Sequence, residues 1–216
     1  MTTDTLRLAR ALEHRDPSLR LRAAMTAGTR PEVTYADVLV ARSAVEPDFF
    51  VREMLTWALV RLPAAATVPL LVAELSRDVA QARSQSLHSL SKIGDPTAWP
   101  AVRTLLHETD DDVARAAWRA AVVLAPEAEK HWLATQLAAE LGRGGREVQL
   151  SLSRALIALG ELVLPVLDAA GRSDDPVVRA HAEASERLFH DPEGGFELAL
   201  DLATRAAIGP PPGEGG

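Results

Sequence analysis

The sequence has no cysteine, an absence that excludes disulfides, thiolate catalysis and cysteine-bound zinc, and that fits a reducing compartment, the cytoplasm. Lysine is nearly missing as well: of the 23 basic residues only Lys92 and Lys130 are lysines. Aromatic residues are 4% of the chain, so alanine and leucine have to fill the apolar positions, as closely packed helices prefer. No stretch of membrane-spanning length is free of charges, and Met1-Thr2-Thr3-Asp4 has no apolar run behind a basic start, so neither a membrane partner nor a signal peptide is expected. Positive charge is in deficit, with a net charge of -7. That argues against nucleic acid held by the whole surface and leaves any single face undecided.

Catalytic signatures are lacking too. There is no Gly-x-Ser-x-Gly, phosphate-binding loop or dinucleotide fingerprint. The histidines, His14, His88, His107, His131, His181 and His190, are scattered, and none opens a His-Glu-x-x-His helix. Neither a metal nor a cofactor is therefore expected, no catalytic residue is assigned, and the chain is expected not to be an enzyme. Gly142-Arg-Gly-Gly145 falls between helices and reads as a linker.

What is present is repetition. The element Asp-x-x-(Val/Leu)-Arg occurs as Asp16 to Arg20, Asp48 to Arg52 and Asp175 to Arg179, with alanine before the arginine in Asp111 to Arg115. Degenerate copies end at Arg83 and Gln149, so the markers are separated by 32, 31, 32, 34 and 30 residues. A fixed period in this range is the signature of stacked helical pairs. Local signals agree. Between Val79 and Leu106, Ala82, Leu87, Leu90 and Ile93 recur at helical spacing, Gly94-Asp95-Pro96 stops one helix and starts the next, and Trp99, Val102, Leu105 and Leu106 recur again. Glycine permits a left-handed cap, Asp95 can cap the following helix, and Pro96 lacks only an N–H that a first turn does not use.

This small-residue helix followed by Gly-Asp-Pro and Ala-Trp-Pro-Ala-Val resembles the short HEAT-like repeat named after the phycobilisome lyases. The chain also resembles the HEAT modules that actinobacteria attach to, or encode beside, helix-turn-helix transcription regulators. The resemblance implies an all-α fold, a right-handed α-solenoid of about six short hairpins over residues 1–28, 29–62, 63–93, 94–125, 126–160 and 161–190, a single solenoid over 1–208. An amphipathic helix over 191–208, with Phe196, Leu200 and Ala203, is expected to cover its end, and 209–216, rich in proline and glycine, is expected to be disordered.

Within each second helix, positions zero, four, seven, eight and eleven from the residue before the marker share one face. In the second copy these are Val51, Leu55, Ala58, Leu59 and Leu62, the candidate core. The recurring arginines could be functional, but a structural ladder is preferred, with Arg20, Arg52, Arg83, Arg115 and Arg179 bridging to capping aspartates Asp16, Asp48, Asp111 and Asp175 of adjoining repeats. Positions two, three, six and ten face away from the core, toward the inner wall. They bring together Met54, Trp57, Arg61, Gln85, His88 and Lys92, with Arg154 further along, as the candidate partner-binding surface. The second helices carry a net charge of +8 and the remainder -15, but without five marker arginines the excess is only +3. Either this is a mildly basic inner surface suited to an acidic segment, or these are ordinary solvated side chains.

The expected function is a non-catalytic protein-interaction module or scaffold whose partner is a protein or peptide, an acidic segment or a transcription regulator among the candidates. The alternative is a nucleic-acid binder resembling the alkylpurine DNA glycosylases built from HEAT-like repeats. Trp57 could imitate their basic, tryptophan-bearing face, yet Trp118 falls on a core position, Trp99 and Trp132 sit on first helices, and free cations are few. His107-Glu108 is a lone pair, whereas HEAT-type di-iron hydroxylases use several facing pairs. The resemblance to bilin lyases carries no catalytic residue that transfers.

Overall fold

The computed structural model describes residues 2–192, 200, 201 and 204, and its regular elements among them are all helical. The chain divides into two compact units, Met1–Leu124 and Ala125–Gly216. The first unit holds α1 (Thr3–Leu12), α2 (Pro17–Thr29), α3 (Ala36–Ser43), α4 (Phe49–Val60), α5 (Ala64–Glu74), α6 (Ala80–Ile93), α7 (Trp99–Val102) and α8 (Asp111–Leu124). These form four hairpins in which α2, α4, α6 and α8 lie side by side in one layer and α1, α3 and α5 in the other. The second unit holds α9 (Lys130–Ala138), α10 (Arg146–Ile157), α11 (Leu164–Ala170) and α12 (Pro176–His190), with α10 against α12 and α9 against α11.

Short polar caps start the second helices. Asp16, Asp48 and Asp175 accept hydrogen bonds from the amides of Ser18, Val51 and Val177, satisfying donors that a first turn leaves open. Asp95 does the same for Thr97. For α8 the cap is Asp110, which accepts from the amides of Asp112 and Val113; Asp111, matched by the repeat alignment, is the first helical residue. Gly94 ends α6 at φ +72°, a conformation that L side chains rarely adopt.

The first helices are shorter than their sequence pattern suggests. Those led by Val33–Tyr35, Pro96–Ala98, Glu127–Glu129 and Gly160–Val163 begin with a 3-10 turn. The apolar run from Trp99 to Leu106 is not one helix: it is divided between α7 and a second 3-10 turn over Arg103–Leu105. Pro100 has no N–H to donate to the carbonyl four residues earlier, so the tighter turn is the local solution.

Val51, Leu55, Ala58, Leu59 and Leu62 are all buried, each large one contributing about 1.5–3 kcal/mol. Trp118 is fully enclosed and donates its indole N–H to the Leu106 carbonyl at 2.9 Å. Trp99 is buried with Arg103 over its ring. In the second unit Leu200 is buried against Ala184 and Leu188; Phe196, Ala203 and the tail 209–216 lie outside the described residues.

The arginine ladder is corrected in its rungs. Arg20, Arg52 and Arg83 do not bridge to a neighbouring repeat's capping aspartate; they turn back to carbonyls of their own hairpin turn or reach a glutamate in the next one. Arg20 donates to the carbonyls of His14 and Arg15 and, through Nε and a terminal nitrogen, to both carboxylate oxygens of buried Glu46, at 2.8 and 2.6 Å. Arg52 donates to the carbonyls of Glu46 and Pro47, and Arg179 to that of Ser173. Arg83 pairs with Glu108 at 2.9 Å. Arg115 has Asp112 of its own helix 3.9 Å away. The physical reason is reach: an aspartate occupied as a helix cap is drawn against its own backbone, while a glutamate two residues earlier extends toward the neighbouring hairpin.

Glu46 is the centre of this junction, receiving Arg20, Arg42 and the Asp48 amide. Burial opposes its ionisation, but the hydrogen bonds from Arg20, the Asp48 amide and Arg42 outweigh burial and hold the carboxyl below its ordinary pKa. The Arg20 guanidinium is correspondingly raised, chiefly by its hydrogen bond to Glu46. In the second unit the buried polar side chains among the described residues are Gln149, Ser153, His181 and Ser185, with no carboxylate or guanidinium among them. There His181 is fully buried; its Nδ1 accepts from the Gly142 amide at 3.0 Å, and Nε2 lies 3.0 Å from both the Gln149 carbonyl and Ser153 Oγ. Ser153 in turn meets Ser185 at 2.7 Å. Accepting at Nδ1 assigns the neutral tautomer with its proton on Nε2, and burial, only partly offset by the Gln149 carbonyl, pulls the pKa down to about 4.

Candidate functional site

Three second helices of the first unit repeat one spacing on their N-terminal halves. Phe49, Arg52 and Glu53 on α4, Gln81, Ser84, Gln85 and His88 on α6, and Asp112, Arg115, Ala116 and Arg119 on α8 stand at i, i+3, i+4 and i+7, the spacing of one helical face. Because α6 packs against both α4 and α8, the three stripes converge on a groove of about 450 Å³ lined by these residues and Ala80. Small side chains, Ala80, Ser84 and Ala116, give it depth.

The groove is polar with a cationic bias. Arg52, Arg115 and Arg119 face Glu53 and Asp112 across it. His88 is half-buried, its Nε2 3.3 Å from Glu53 Oε1 without a directed hydrogen bond. Burial lowers the His88 pKa, and Arg119 and Lys92 add to that against the opposing pull of Glu53, so the ring is neutral near pH 7. Arg119 donates its Nε to the Arg115 carbonyl; desolvation in the groove, then Arg115, push its pKa down despite Glu53 and Asp112.

The expected surface residues do not form one cluster. Trp57 and Arg61 come together, the guanidinium 5.0 Å from the ring centroid, and the other edge of the ring lies against Gly28 of α2, where a Cβ would overlap it. Met54 is half-buried and Lys92 exposed. Gln85 and His88 belong to the groove, but Gln85 is buried and donates to Thr56 Oγ1 at 3.0 Å, which corrects its assignment as an exposed contact. Arg154 is exposed on α10, in the other unit.

Sequence reasoning missed Phe49, Phe50, Glu53, Asp112 and Arg119. Phe49 and Phe50 stand 58% and 70% exposed at the start of α4, their rings 5.6 Å apart edge to face, with Arg52 over Phe49. The signal was available in the spacing of 49, 81 and 112, which follows the repeat period. Among the described residues no group of three or more His, Asp or Glu side chains is placed to hold a metal ion, and no single helix is long and apolar enough to cross a membrane.

A family model for HEAT repeats matches residues 45–122, the segment carrying α4, α6, α8 and the groove. No curated protein matches the chain. Among solved structures, the complex of CpcE and CpcF of phycocyanin lyase from Nostoc sp. PCC7120 is similar, at 19% identity and a TM-score of 0.50, covering 96% of this chain and 88% of that one. Two engineered proteins each have a TM-score of 0.47, at 17% and 19% identity, covering 90% and 94% of this chain and 100% and 98% of theirs. At these identities the likeness concerns the fold alone. The chain is HEAT-like: helical hairpins of one kind, stacked within each unit.

Proposed function

We propose that this protein is a non-catalytic interaction module that docks a protein partner on the second helices of its first unit. The carrying observation is the exposure of aromatic side chains on α4: Phe49, Phe50 and Trp57, the last 37% exposed, in a chain with only nine Phe, Tyr and Trp residues. Two of the three lie beneath a guanidinium, the composition found where protein interfaces concentrate their binding energy. A transcription regulator is the partner class that the HEAT-module resemblance implies, and the cytoplasm is the compartment that the cysteine-free composition favours. Glu53 and Asp112 standing among the groove arginines disfavour a nucleic acid backbone there.

Affinity capture from native lysate tests this reading. The expected result is a stoichiometric protein retained by the wild type and lost from the double variant Phe49→Ala, Phe50→Ala, whose melting temperature stays close to wild type. Retention of generic duplex DNA, lost at modest salt and on Arg61→Ala with Lys92→Ala, would instead establish the nucleic-acid alternative.

A further inference from the structure

Resting on that docking surface, we propose that the groove along α6 is a subsite for a short peptide segment in which one carboxylate neighbours a large apolar side chain, the carboxylate held by Arg119 and the apolar group by Phe49. Charge complementarity selects the anion. Three guanidinium groups, Arg52, Arg115 and Arg119, line the groove beside two carboxylates, Glu53 and Asp112, so cations outnumber anions in its lining by one. Its complement is a single negative charge rather than a dianionic phosphate, which would meet Glu53 and Asp112.

Arg119 is the group placed to supply it. It is exposed, and its one hydrogen bond among the described residues uses Nε toward its own helix, leaving the terminal nitrogens for the two-point grip that guanidinium offers a carboxylate. Arg52, by contrast, is already donating to the Glu46 and Pro47 carbonyls. On the opposite wall Phe49 presents an exposed ring backed by Phe50, an apolar seat for a leucine-sized or aromatic side chain. The floor from Ala80 to His88 spans two helical turns, about 12 Å, which matches three to four extended residues at about 3.3 Å each.

The test uses the full chain, labelled with 15N, and three probes: acetyl-Leu-Glu-Phe-amide, acetyl-Leu-Gln-Phe-amide and inorganic phosphate. The glutamate peptide is expected to shift amides over 49–53, 80–88 and 112–119 saturably, with the glutamine peptide about tenfold weaker, a difference of about 1.4 kcal/mol. In Arg119→Ala, and in Arg119→Gln as a second variant, the two peptides should bind alike. Equal binding of both peptides to the wild type, or phosphate saturating the same amides at lower concentration than the glutamate peptide, would overturn the proposal. Should neither peptide move these amides while the aromatic variant still releases the captured protein, the subsite fails and the docking surface stands. Loss of both would remove the two together.

Discussion

The two units solve one problem in opposite ways. Each has to tie neighbouring second helices together with polar groups shut away from water, and unbonded polar groups there would each cost about 1–3 kcal/mol. The first unit uses charge: Glu46, fully enclosed, is held by Arg20, Arg42 and a backbone amide. The second, among its described residues, encloses the neutral His181, Ser153 and Ser185 between α10 and α12. A charged junction depends on keeping both signs present, and a neutral one on never acquiring a charge. Conditions that break one should leave the other largely intact.

The largest effect is expected from Glu46→Ala. It leaves the Arg20 guanidinium buried without its carboxylate, and breaking an enclosed ion pair from one side costs about 3–5 kcal/mol. Denaturant unfolding should register that loss, with hydrogen exchange placing it in α2 and α4 and sparing α10 and α12.

Acid should next distinguish the junctions by the pH at which each weakens. The folded pKa of His181, about 4, lies below the 6.5 of an unhindered histidine, so the unfolded chain takes up the proton first. The stability it supports is complete above about pH 6.5 and is lost as pH falls toward 4, a loss on the order of 3 kcal/mol. The Glu46 carboxyl, held below its usual 4.5, supports stability that is complete above that value and lost only as pH falls further. Site-resolved exchange between pH 7 and 3 should therefore show α10 and α12 loosening before α2 and α4, and His181→Leu should flatten the earlier step. Simultaneous loosening would contradict the contrast.

Two smaller changes sharpen it. Arg52→Ala removes two hydrogen bonds to the turn carbonyls of Glu46 and Pro47 and is expected to cost about 1–2 kcal/mol by thermal melting. Asp110→Ala removes an acceptor from two amides at the start of α8, for about 1 kcal/mol.

Much of this architecture is legible in the sequence. Apolar spacing marked Val51, Leu55, Leu59 and Leu62 as interior, and Gly94-Asp95-Pro96 marked a boundary, because core periodicity and chain reversal are decided within a few residues. The rungs of the arginine ladder were not, because they depend on which acid can span two hairpins. Glu46 and Glu108 each stand two residues before a capping aspartate, a recurrence that an alignment centred on the aspartates overlooks. The groove was missed for a rotational reason. One residue along a helix turns the face by about 100°, and the stripe chosen from positions two, three, six and ten took in Gln85 and His88 but passed over Phe49, Asp112 and Arg119. The same offset spent Arg52 and Arg115 entirely on the scaffold, although both also line the groove.

Gly28 illustrates how one hairpin governs the surface of the next. An alanine would favour the helix at that position by up to about 1 kcal/mol, yet it would intrude on the space the Trp57 ring fills. The omitted methyl is thus a mould for an aromatic ring 29 residues away. Evolution of partner preference could proceed through this site without altering any atom that meets the partner.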